Sequence, residues 1–541
     1  NAIYSFKIPS NLPVKTYGPG TEDRKLLKEA LKKIQSEVIE IPLIIGGKEV
    51  KTGQTGKVVM PHNHQHVLAM YHKAGEKEVK MAIDAALEAH KAWEEMPWQD
   101  RVAITLKVAA LLEGKYRYII NAATMLGQGK NAFQAEIDSA CETIDFLRFN
   151  AYYASQVYAD QPISENGVIN RMEYRPLEGF VFTVTPFNFT AIASNLNMTP
   201  VLMGNTTIWK PSTTSLLSNY YLMKIYMEAG VPAGVINFLP GSGATIGGVA
   251  LTHPKLAGIH FTGSTGVFNG FWKTIASNVG NYVSYPKIVG ETGGKDFIFA
   301  HHSADVKALS TAIIRGSFEF QGQKCSAASR AYIPKSIWED VKKIVGEMLS
   351  RIKVGEPTDF TNFMNAVIDE ASFDKCMTYI ENAKKDKDAE IIFGGKGDKS
   401  KGYFVEPTVI LTTNPHYASM EEEIFGPIIT IYVYDDNDFN ATLKLCDTTS
   451  PYALTGAVWA NDRAALLHMA NVLKYSSGNI YFNDKPTGAV VGQQPFGGAR
   501  ASGTNDKAGS YLNLIRWTNP RAIKEFLVPP TDFMYPTFLE D

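Results

Sequence analysis

The sequence predicts an α/β protein with a doubly wound parallel sheet, followed by a second α/β domain. From about residue 180 onward, short runs rich in β-branched and aromatic residues alternate with amphipathic helical segments. This alternation is typical of parallel sheets that carry helices on both faces. The chain has 541 residues, which is more than the ~100–200 residues of one ordinary domain. Several domains are therefore expected.

The elements follow in order along the chain. Residues from about 75 to 160 are predicted to be helical, because Val79, Ile83 and Leu87 recur on one helical face. The first alternating series has the strands Phe180–Thr185, Thr206–Trp209, Val235–Leu239, Gly258–Thr262 and Lys287–Gly290, with the helices Ser215–Glu228 and Val267–Ser277. The second series has the strands Phe297–Ala300, Arg330–Pro334, Ile429–Tyr434, Thr455–Trp459 and Asn479–Asn483, with the helices Asp305–Phe318 and Ile337–Ile352. Gly293–Gly294 separates the two series and is expected to act as a hinge.

Composition and charge exclude several classes of protein. Hydrophobic residues make up 45% of the chain and charged residues 20%, which is ordinary for a folded globular protein. The net charge of −2 provides no field that attracts nucleic acid or an anionic membrane. No apolar run reaches the ~18 residues that span a bilayer. A small-molecule ligand is therefore expected, with neither nucleic acid nor a membrane span.

The cysteine count favours a reducing compartment. Four cysteines are too few for a disulfide framework, and none stands in a C-x-x-C pair that would suggest a metal site. The first residue is Asn rather than Met. We therefore expect that an N-terminal segment, with any targeting peptide, precedes the sequence.

Cys325 is the cysteine best suited to chemistry. The other three lie on apolar helical faces and are predicted to be core residues: Cys141, Cys376 and Cys446. Cys325 has small and polar neighbours and follows a predicted helix. A nearby cation such as Lys324, or oriented N–H groups, would favour the nucleophilic thiolate. From these residues alone, a catalytic cysteine and an ordinary loop cysteine both remain open.

A base and a phosphate site are further candidates. Glu291 ends an apolar strand and precedes glycines, where the backbone can approach a ligand, although an ordinary loop carboxylate has the same pattern. The glycine-rich turn Gly241–Gly247 has neither dinucleotide spacing nor a P-loop lysine. The turn Phe261–Gly266 opens a helix, whose N–H groups could meet a diphosphate together with the Ser264 hydroxyl. Neither turn identifies a cofactor by itself.

Taken together and in order, seven motifs resemble the aldehyde dehydrogenase superfamily. They are Thr185-Pro-Phe-Asn-Phe189, Trp209-Lys-Pro-Ser212, Phe261-Thr-Gly-Ser-Thr265, Glu291-Thr-Gly-Gly-Lys295, Gln323-Lys-Cys325, Glu423-Ile-Phe-Gly-Pro427 and Pro495-Phe-Gly-Gly498. They span most of the chain, and the spacing of Glu291 and Cys325 is similar to that of the family's general base and nucleophile.

The resemblance implies three structural parts. The first is a Rossmann-like NAD-binding domain made of residues 1–162 and 180–295, and the second is a catalytic domain of residues 296–490. The third is a small β oligomerisation arm of residues 163–179 and 510–541, with Gly167–Leu177 and Arg516–Phe526 as its pairing segments. An arm that pairs with another chain implies at least a homodimer.

The resemblance also implies an NAD-dependent aldehyde dehydrogenase with assigned catalytic residues. Cys325 would attack the aldehyde as a thiolate, and the Asn188 side-chain amide and the Cys325 backbone N–H would hold the oxyanion. Glu291 would then activate the water that hydrolyses the thioester.

For the cofactor, the resemblance places Lys210 on the adenosine ribose and Glu423 on the nicotinamide ribose. Ser264 would meet the diphosphate, and Phe425 would lie beside the nicotinamide ribose. Many relatives that prefer NAD have an acidic residue where this chain has Thr213. NAD is the expected cofactor, and some use of NADP stays open.

Two stretches resemble the branch of the superfamily that oxidises L-glutamate γ-semialdehyde to L-glutamate in proline catabolism. They are 320–330 and 487–503. The α-carboxylate of that substrate would bind the Ser326 hydroxyl and the backbone N–H groups of Gly488 and Ala489. Some relatives have Ser where this chain has Ala489, but a backbone donor survives that change. The eukaryotic enzymes of this branch suggest the mitochondrial matrix.

Phe189 and Phe496 are implied to sandwich the aliphatic middle of the substrate, unless both rings are simply core residues. Three different functions also stay open: oxidation of another aldehyde, acyl transfer to coenzyme A, and a protein that kept the fold but lost activity. The presence of Glu291 argues against transfer to coenzyme A, because that reaction must protect the thioester from water.

Overall fold

The computed structural model describes residues 6–540 and has two large mixed sheets. Each has seven strands, and a three-stranded sheet and small two-stranded sheets accompany them. The predicted α/β fold with two successive α/β units is confirmed. Within residues 6–540, no helix combines the length and the apolar character needed to cross a bilayer.

The N-terminal part combines helices with short strands. Its helices are α1 (Glu22–Gln35), α2 (Glu76–Glu95), α3 (Trp98–Glu113), α4 (Arg117–Gln128), α5 (Ala132–Ala135) and α6 (Thr143–Ala159), with a π-helix at Glu136–Glu142. Its strands are β1 (Ile39–Ile41), β2 (Leu43–Ile45), β3 (Lys48–Val50), β4 (Thr55–Met60), β5 (Asn63–His72) and β6 (Val168–Arg175). The helical prediction for residues 75–160 is confirmed, whereas β1 to β5 are not predicted from the sequence.

The first large sheet positions half of the candidate site. Its further elements are β7 (Phe180–Val184), α7 (Thr190–Leu202), β8 (Thr206–Lys210), α8 (Leu216–Ala229), β9 (Ile236–Phe238), α9 (Gly243–Ala250), β10 (Leu256–Thr262), α10 (Thr265–Asn278) and β11 (Lys287–Glu291). The strand order is β11-β10-β7-β8-β9-β2-β3. The five strands from β7 to β11 run parallel, and all agree with the predicted strands within two residues. Every residue of β10 is buried, as expected for a strand covered on both faces.

The parallel strands bring their carboxyl ends to one edge of this sheet. Val184 of β7 pairs with Lys210 of β8, and Thr262 of β10 pairs with Glu291 of β11. Ligands of open α/β sheets bind at this edge. The residues that follow these strand ends are therefore placed together by the topology.

The second large sheet has the order β14-β17-β18-β13-β12-β20-β21. Its helices are α11 (Val306–Phe318), α12 (Lys335–Leu349), α13 (Glu370–Ala383), α14 (Ala418–Glu421), α15 (Phe439–Thr448) and α16 (Arg463–Val472). The strands of this region are β12 (Asp296–Ala300), β13 (Ala328–Pro334), β14 (Ala389–Phe393), β15 (Gly397–Asp398), β16 (Phe404–Val405), β17 (Thr408–Thr412), β18 (Ile428–Tyr434), β19 (Tyr452–Ala453), β20 (Thr455–Trp459) and β21 (Asn479–Phe482). Only β14 runs antiparallel to its neighbour in the large sheet.

The last elements are β22 (Ala499–Arg500), α17 (Tyr511–Ile515) and β23 (Asn519–Phe526). β23 pairs antiparallel with β6 in a two-stranded ribbon of its own, from Asn519 opposite Arg175 to Phe526 opposite Val168. The preceding residues behave differently, because Leu514 and Trp517 are fully buried in a cluster with residues of α6. The paired ribbon therefore covers only β6 and β23, while Leu514 and Trp517 of the predicted arm pack on the body of the protein.

Candidate active site

A cavity of about 750 Å³ lies at the carboxyl ends of the first sheet and reaches the turn that carries the candidate nucleophile. Six predicted site residues line it: Asn188, Lys210, Ser264, Cys325, Glu423 and Phe425. The cavity thus joins residues from both large sheets. Clefts of this size that combine apolar walls with a few convergent polar groups are typical ligand sites.

Cys325 lies in a turn between a 3-10 helix at Glu319–Gly322 and strand β13. It is partly exposed, whereas Cys141, Cys376 and Cys446 are buried, which confirms the predicted core positions of those three. Although the residue as a whole is partly exposed, its surroundings shield the sulfur from water, and this raises the pKa of the Cys325 thiol well above its usual range; the carboxyl groups of Asp296, Glu423 and Glu291 raise it further.

Lys324, the cation next to Cys325 in the sequence, is paired with a carboxylate. The Lys324 ammonium lies 3.1 Å from the Glu319 carboxylate, which neutralises its charge. Burial is the main cause of the raised pKa of Cys325, and the nearby Lys324 does not bring it below its usual range. The thiol therefore needs a base or a rearrangement before it attacks.

Asn188 follows strand β7 and is buried beside the turn of Cys325. Its Nδ2 donates to the Gln323 carbonyl oxygen at 3.2 Å. A primary amide has two N–H groups, so one remains available for a ligand. The next residues are held by Asp138, whose carboxylate accepts the backbone N–H groups of Thr190 at 3.0 Å and Ala191 at 2.8 Å. The start of α7 is thus tied down on the side of the site.

Glu291 ends strand β11 and contacts the C-terminal segment. Its Oε2 accepts the Gly498 backbone N–H at 3.0 Å. Burial raises the pKa of the Glu291 carboxyl well above its usual range; the Asp506 charge adds to this effect, while the Gly498 N–H and Lys507 oppose it. Since the Glu291 charge raises the pKa of Cys325 in turn, the two groups are close enough to interact. A carboxyl with a raised pKa suits a general base near neutral pH.

Three residues form the cofactor side of the cavity. Lys210 ends β8, and burial lowers the pKa of its ammonium. Ser264 caps helix α10, and its Oγ accepts the Val267 N–H at 3.4 Å, which leaves the hydroxyl hydrogen free to donate. Glu423 Oε1 accepts the Gly294 N–H at 3.0 Å.

These groups fit a dinucleotide. A helix N-terminus with a hydroxyl cap favours a diphosphate, and a lysine and a glutamate offer donor and acceptor to ribose hydroxyls. Gly293 allows the close approach on the Glu423 side, because a Cβ there would lie 2.3 Å from a Glu423 carboxylate oxygen. Phe425 lines the same cavity with a left-handed backbone (φ +63°) and its ring packs edge-on against Phe187.

The residues expected to bind the substrate carboxylate lie in two loops. Ser326 Oγ donates to Thr487 Oγ1 at 2.9 Å, which ties the turn of Cys325 to residues 487–490. Gly488 has φ +97°, a conformation that favours glycine. Within residues 6–540, no group accepts a hydrogen bond from the backbone N–H of Gly488 or Ala489. Both donors are therefore available to an anion.

The two phenylalanines are not fully buried, which argues against a purely core role. The Phe189 ring lies 3.8 Å from the Lys130 ammonium, measured to the ring centroid. Phe496 is fixed by its backbone, whose N–H and carbonyl pair with Ala508 at 3.0 and 2.7 Å.

Sequence reasoning missed a buried charged cluster next to Phe189. Lys130 is fully buried and pairs with Asp138 at 2.7 Å. Burial raises the pKa of Glu142 to about 8, and the nearby Asp138 charge raises it as well. Asp138 and Glu142 lie on the π-helix. Such single-turn bulges are frequent at functional sites, but no local pattern marks this one in the sequence.

Lys375 was also missed. It lines the cavity, and its Nζ donates to the Glu423 backbone carbonyl at 2.6 Å. A lysine on the polar face of a helix is ordinary in sequence, so only the fold reveals its position.

The fold and the site define an aldehyde dehydrogenase. Residues 49–523 match the model of the aldehyde dehydrogenase family. The chain belongs to this family.

Two curated relatives are similar over nearly their whole length. The mitochondrial delta-1-pyrroline-5-carboxylate dehydrogenase of Dictyostelium discoideum is 53% identical over 98% of this chain and 96% of that protein. The mitochondrial enzyme of the same name from Homo sapiens is 46% identical over 97% of this chain and 94% of that protein.

Solved structures agree with this similarity. The crystal structure of delta-pyrroline-5-carboxylate dehydrogenase from Mycobacterium tuberculosis bound with NAD has a TM-score of 0.96 and 48% identity, and covers 100% of both chains. A 1-pyrroline-5-carboxylate dehydrogenase from Thermus with bound NAD has a TM-score of 0.90 and 33% identity, and covers 97% of this chain and 100% of that chain.

Proposed function

We propose that the protein oxidises L-glutamate γ-semialdehyde, which is in equilibrium with Δ1-pyrroline-5-carboxylate, to L-glutamate with NAD in proline catabolism. The observation that carries this proposal is the cavity that joins the partly exposed Cys325 to Asn188, Lys210 and Glu423. Relatives that are named for this activity, and that are about 50% identical to this chain over nearly its full length, support the proposal.

The chemistry begins at Cys325. The thiol first loses its proton to water in the open cavity. The thiolate then adds to the aldehyde carbon, and the Asn188 amide together with the Cys325 backbone N–H stabilises the oxyanion of the resulting thiohemiacetal. NAD, when bound in the cavity, supplies the acceptor for the hydride that leaves this carbon. The acyl group then remains on Cys325 as a thioester.

Glu291 completes the reaction. Its carboxylate takes a proton from water, the hydroxide adds to the thioester carbonyl, and L-glutamate leaves as the Cys325 thiol is restored. The raised pKa of Glu291 suits a group that accepts and releases this proton near neutral pH. Lys210 and Glu423 bind the ribose hydroxyls of NAD, Ser264 binds the diphosphate, and Phe425 lies beside the nicotinamide ribose.

The substrate carboxylate binds Ser326, Gly488 and Ala489. Positive charge is close to this loop, because the Lys485 Nζ donates to the Thr487 carbonyl at 3.0 Å. Phe189 and Phe496 flank the aliphatic part of the substrate. This arrangement favours an aldehyde with a distal carboxylate over an uncharged one.

The test is the initial rate of NADH formation with the semialdehyde against a panel of uncharged aliphatic aldehydes. A hydrogen bond to a charged group is worth about 1.5–3 kcal/mol, so we expect kcat/KM for the semialdehyde to be at least tenfold higher. Ser326→Ala should reduce that ratio and leave the uncharged aldehydes nearly unaffected. Equal kcat/KM across the panel would show that another aldehyde is the substrate.

The same assay separates oxidation from acyl transfer and from loss of activity. If product formed only with added coenzyme A, the reaction would be acyl transfer, and no NADH with any aldehyde would show that activity is lost. Parallel assays with NAD and NADP address the cofactor preference that Thr213 leaves open.

We also propose the wider organisation. The first sheet with its N-terminal helices forms the NAD-binding domain, the second sheet forms the catalytic domain, and the ribbon of β6 and β23 joins two copies in a homodimer. The relatives named mitochondrial support a mitochondrial location, and we propose the matrix as the compartment. Sedimentation of the full chain and of a variant without β23 tests the ribbon's role.

A further inference from the structure

One peptide group connects Glu291 to a lysine that the proposed mechanism does not use. The N–H of the Gly497–Gly498 peptide belongs to Gly498 and donates to Glu291 Oε2 at 3.0 Å. The carbonyl of the same peptide belongs to Gly497 and accepts the Lys507 Nζ at 3.2 Å. The ammonium and the carboxylate thus bind opposite ends of one amide. A hydrogen bond to the carbonyl polarises an amide and strengthens its N–H as a donor.

The Lys507 ammonium is held in a cradle of three acceptors. Besides the Gly497 carbonyl, it donates to the Gly478 carbonyl at 2.8 Å and to Asn479 Oδ1 at 3.3 Å. Three acceptors match the three N–H donors of a lysine. The side chain is therefore fixed rather than solvated.

The backbone at and near Lys507 adopts an unusual left-handed conformation. Lys507 has φ +52° and Asn505 has φ +56°, which are unusual values for residues other than glycine. Such conformations persist only where the surroundings enforce them, and they cluster at functional sites. A Cβ at Gly497 would lie 3.1 Å from Glu291 Oε1 and 3.2 Å from the Lys507 backbone nitrogen, so the segments meet closely.

We propose that Lys507 is a positioning residue for the general base: its ammonium holds and polarises the Gly497–Gly498 peptide, whose N–H orients the Glu291 carboxylate and stabilises its ionised form. This inference rests on the proposed role of Glu291. It assigns the step that Lys507 serves, which is hydrolysis of the thioester rather than its formation.

The charges that face Glu291 have opposite signs. Lys507 lowers the pKa of the Glu291 carboxyl and Asp506 raises it. The third group is the Cys325 thiol, which carries no charge once it is acylated. Asp506 is itself bound by the Thr504 hydroxyl and lies 3.1 Å from Arg516. Removal of Lys507 and removal of the Asp506 charge should therefore shift the titration of Glu291 in opposite directions.

An activated aryl ester isolates the relevant step. The Cys325 thiolate displaces aryloxide from the ester and forms a thioester, and water then hydrolyses it with its proton passing to Glu291. The burst of aryloxide measures acylation and the later steady rate measures hydrolysis. Neither aldehyde nor NAD is needed, so the test does not depend on the identity of the aldehyde substrate.

The variants are Lys507→Met, Asp506→Asn and Glu291→Gln, measured between about pH 6 and pH 9.5. Below its pKa, the ionised fraction of a carboxyl falls tenfold for each unit by which that pKa rises. We expect Lys507→Met to lower the steady rate about tenfold near pH 7, with recovery at alkaline pH and a normal burst. Asp506→Asn should move the acid limb of the steady rate to lower pH.

Two outcomes would overturn the inference: an unchanged acid limb in Lys507→Met, or an equal loss of steady rate at every pH. The Asp506→Asn profile keeps the test decisive if Lys507→Met does not fold, because an acid limb that moves to higher pH contradicts the charge argument. The proposed function fails separately. A normal steady rate in Glu291→Gln would show that Glu291 is not the general base. Ester turnover without oxidation of the semialdehyde would refute only the proposed substrate.

Discussion

Asn188 Nδ2 donates a hydrogen bond of 3.2 Å to the carbonyl oxygen of Gln323, two residues before Cys325. Asn188 follows a strand of the first sheet, and Gln323 precedes a strand of the second. This contact fixes the amide relative to the thiol across the junction of the two sheets. The position of the oxyanion donor therefore depends on how both units pack.

Asn188→Ala should reduce turnover strongly and leave cofactor binding intact. Loss of one oxyanion donor typically lowers kcat by about 10²–10³. The measurements are kcat for the semialdehyde and the Kd for NAD by protein fluorescence. Asn188→Asp is the matched control of the same shape, and it should be at least as slow because a carboxylate repels the oxyanion. A kcat near that of the unmodified protein in Asn188→Ala would refute the assignment.

Native alkylation should modify a single thiol, and its rate should rise steeply with pH. Cys325 is partly exposed whereas the other three cysteines are buried. The thiolate reacts, and the raised pKa of Cys325 keeps the thiol protonated near neutral pH. Iodoacetamide labelling followed by mass spectrometry of tryptic peptides should therefore show Cys325 reacting faster through pH 9. A rate that is already maximal at about pH 6 would contradict the raised pKa.

Cys325→Ala provides the companion measurement. Oxidation of any aldehyde should cease, while the Kd for NAD stays within a few-fold of that of the unmodified protein, because the thiol is not a cofactor ligand. Loss of NAD binding would instead indicate a folding role for this residue.

Lys210→Met should weaken NAD binding with little effect on kcat. A hydrogen bond from a charged donor is worth about 1.5–3 kcal/mol, and RT converts this to roughly 10–100-fold in the KM for NAD. Lys343→Met is the control, because Lys343 is an exposed lysine on α12. If both variants kept the same KM for NAD, Lys210 would not bind the cofactor.

The sheets could be predicted from the sequence because their strands are apolar on both faces and separated by helices. β10, for example, is buried throughout and contains Leu256, Ile259 and Phe261. The strands β1 to β5 were missed because several are only three residues long. A signal was present: Gly46 and Gly47 follow the apolar run Leu43–Ile45, and such a glycine pair with positive φ is typical of a tight hairpin.

Some residues of the candidate site could be predicted from the sequence, and others could not. Cys325 could be singled out locally, because its polar neighbours differ from the apolar surroundings of the other cysteines. The cluster of Lys130, Asp138 and Glu142 could not be singled out in this way, since its members come together only through a π-helix and through packing against α7. The charges around Cys325 depend on the fold as well. Lys324 is adjacent in sequence, but its partner Glu319 is decided by the fold.

Asp138→Asn should destabilise the fold and slow catalysis together. Asp138 is fully buried, pairs with Lys130 and accepts two backbone N–H groups at the start of α7. Removal of one partner of a buried ion pair typically costs about 3–5 kcal/mol, because the other charge stays buried and unpaired. A lower midpoint of urea unfolding is expected, with a lower kcat because Asn188 lies two residues before the start of this helix.

The double variant Asp138→Asn with Lys130→Met tests the cause of that loss. If the unpaired ammonium is responsible, the double variant should be more stable than Asp138→Asn alone, because the buried charge is gone. Its kcat should stay low, since an asparagine oxygen replaces a carboxylate that accepts the two backbone N–H groups of α7. Equal stability of the single and double variants would show that the helix cap, not the ion pair, is the main contribution of Asp138.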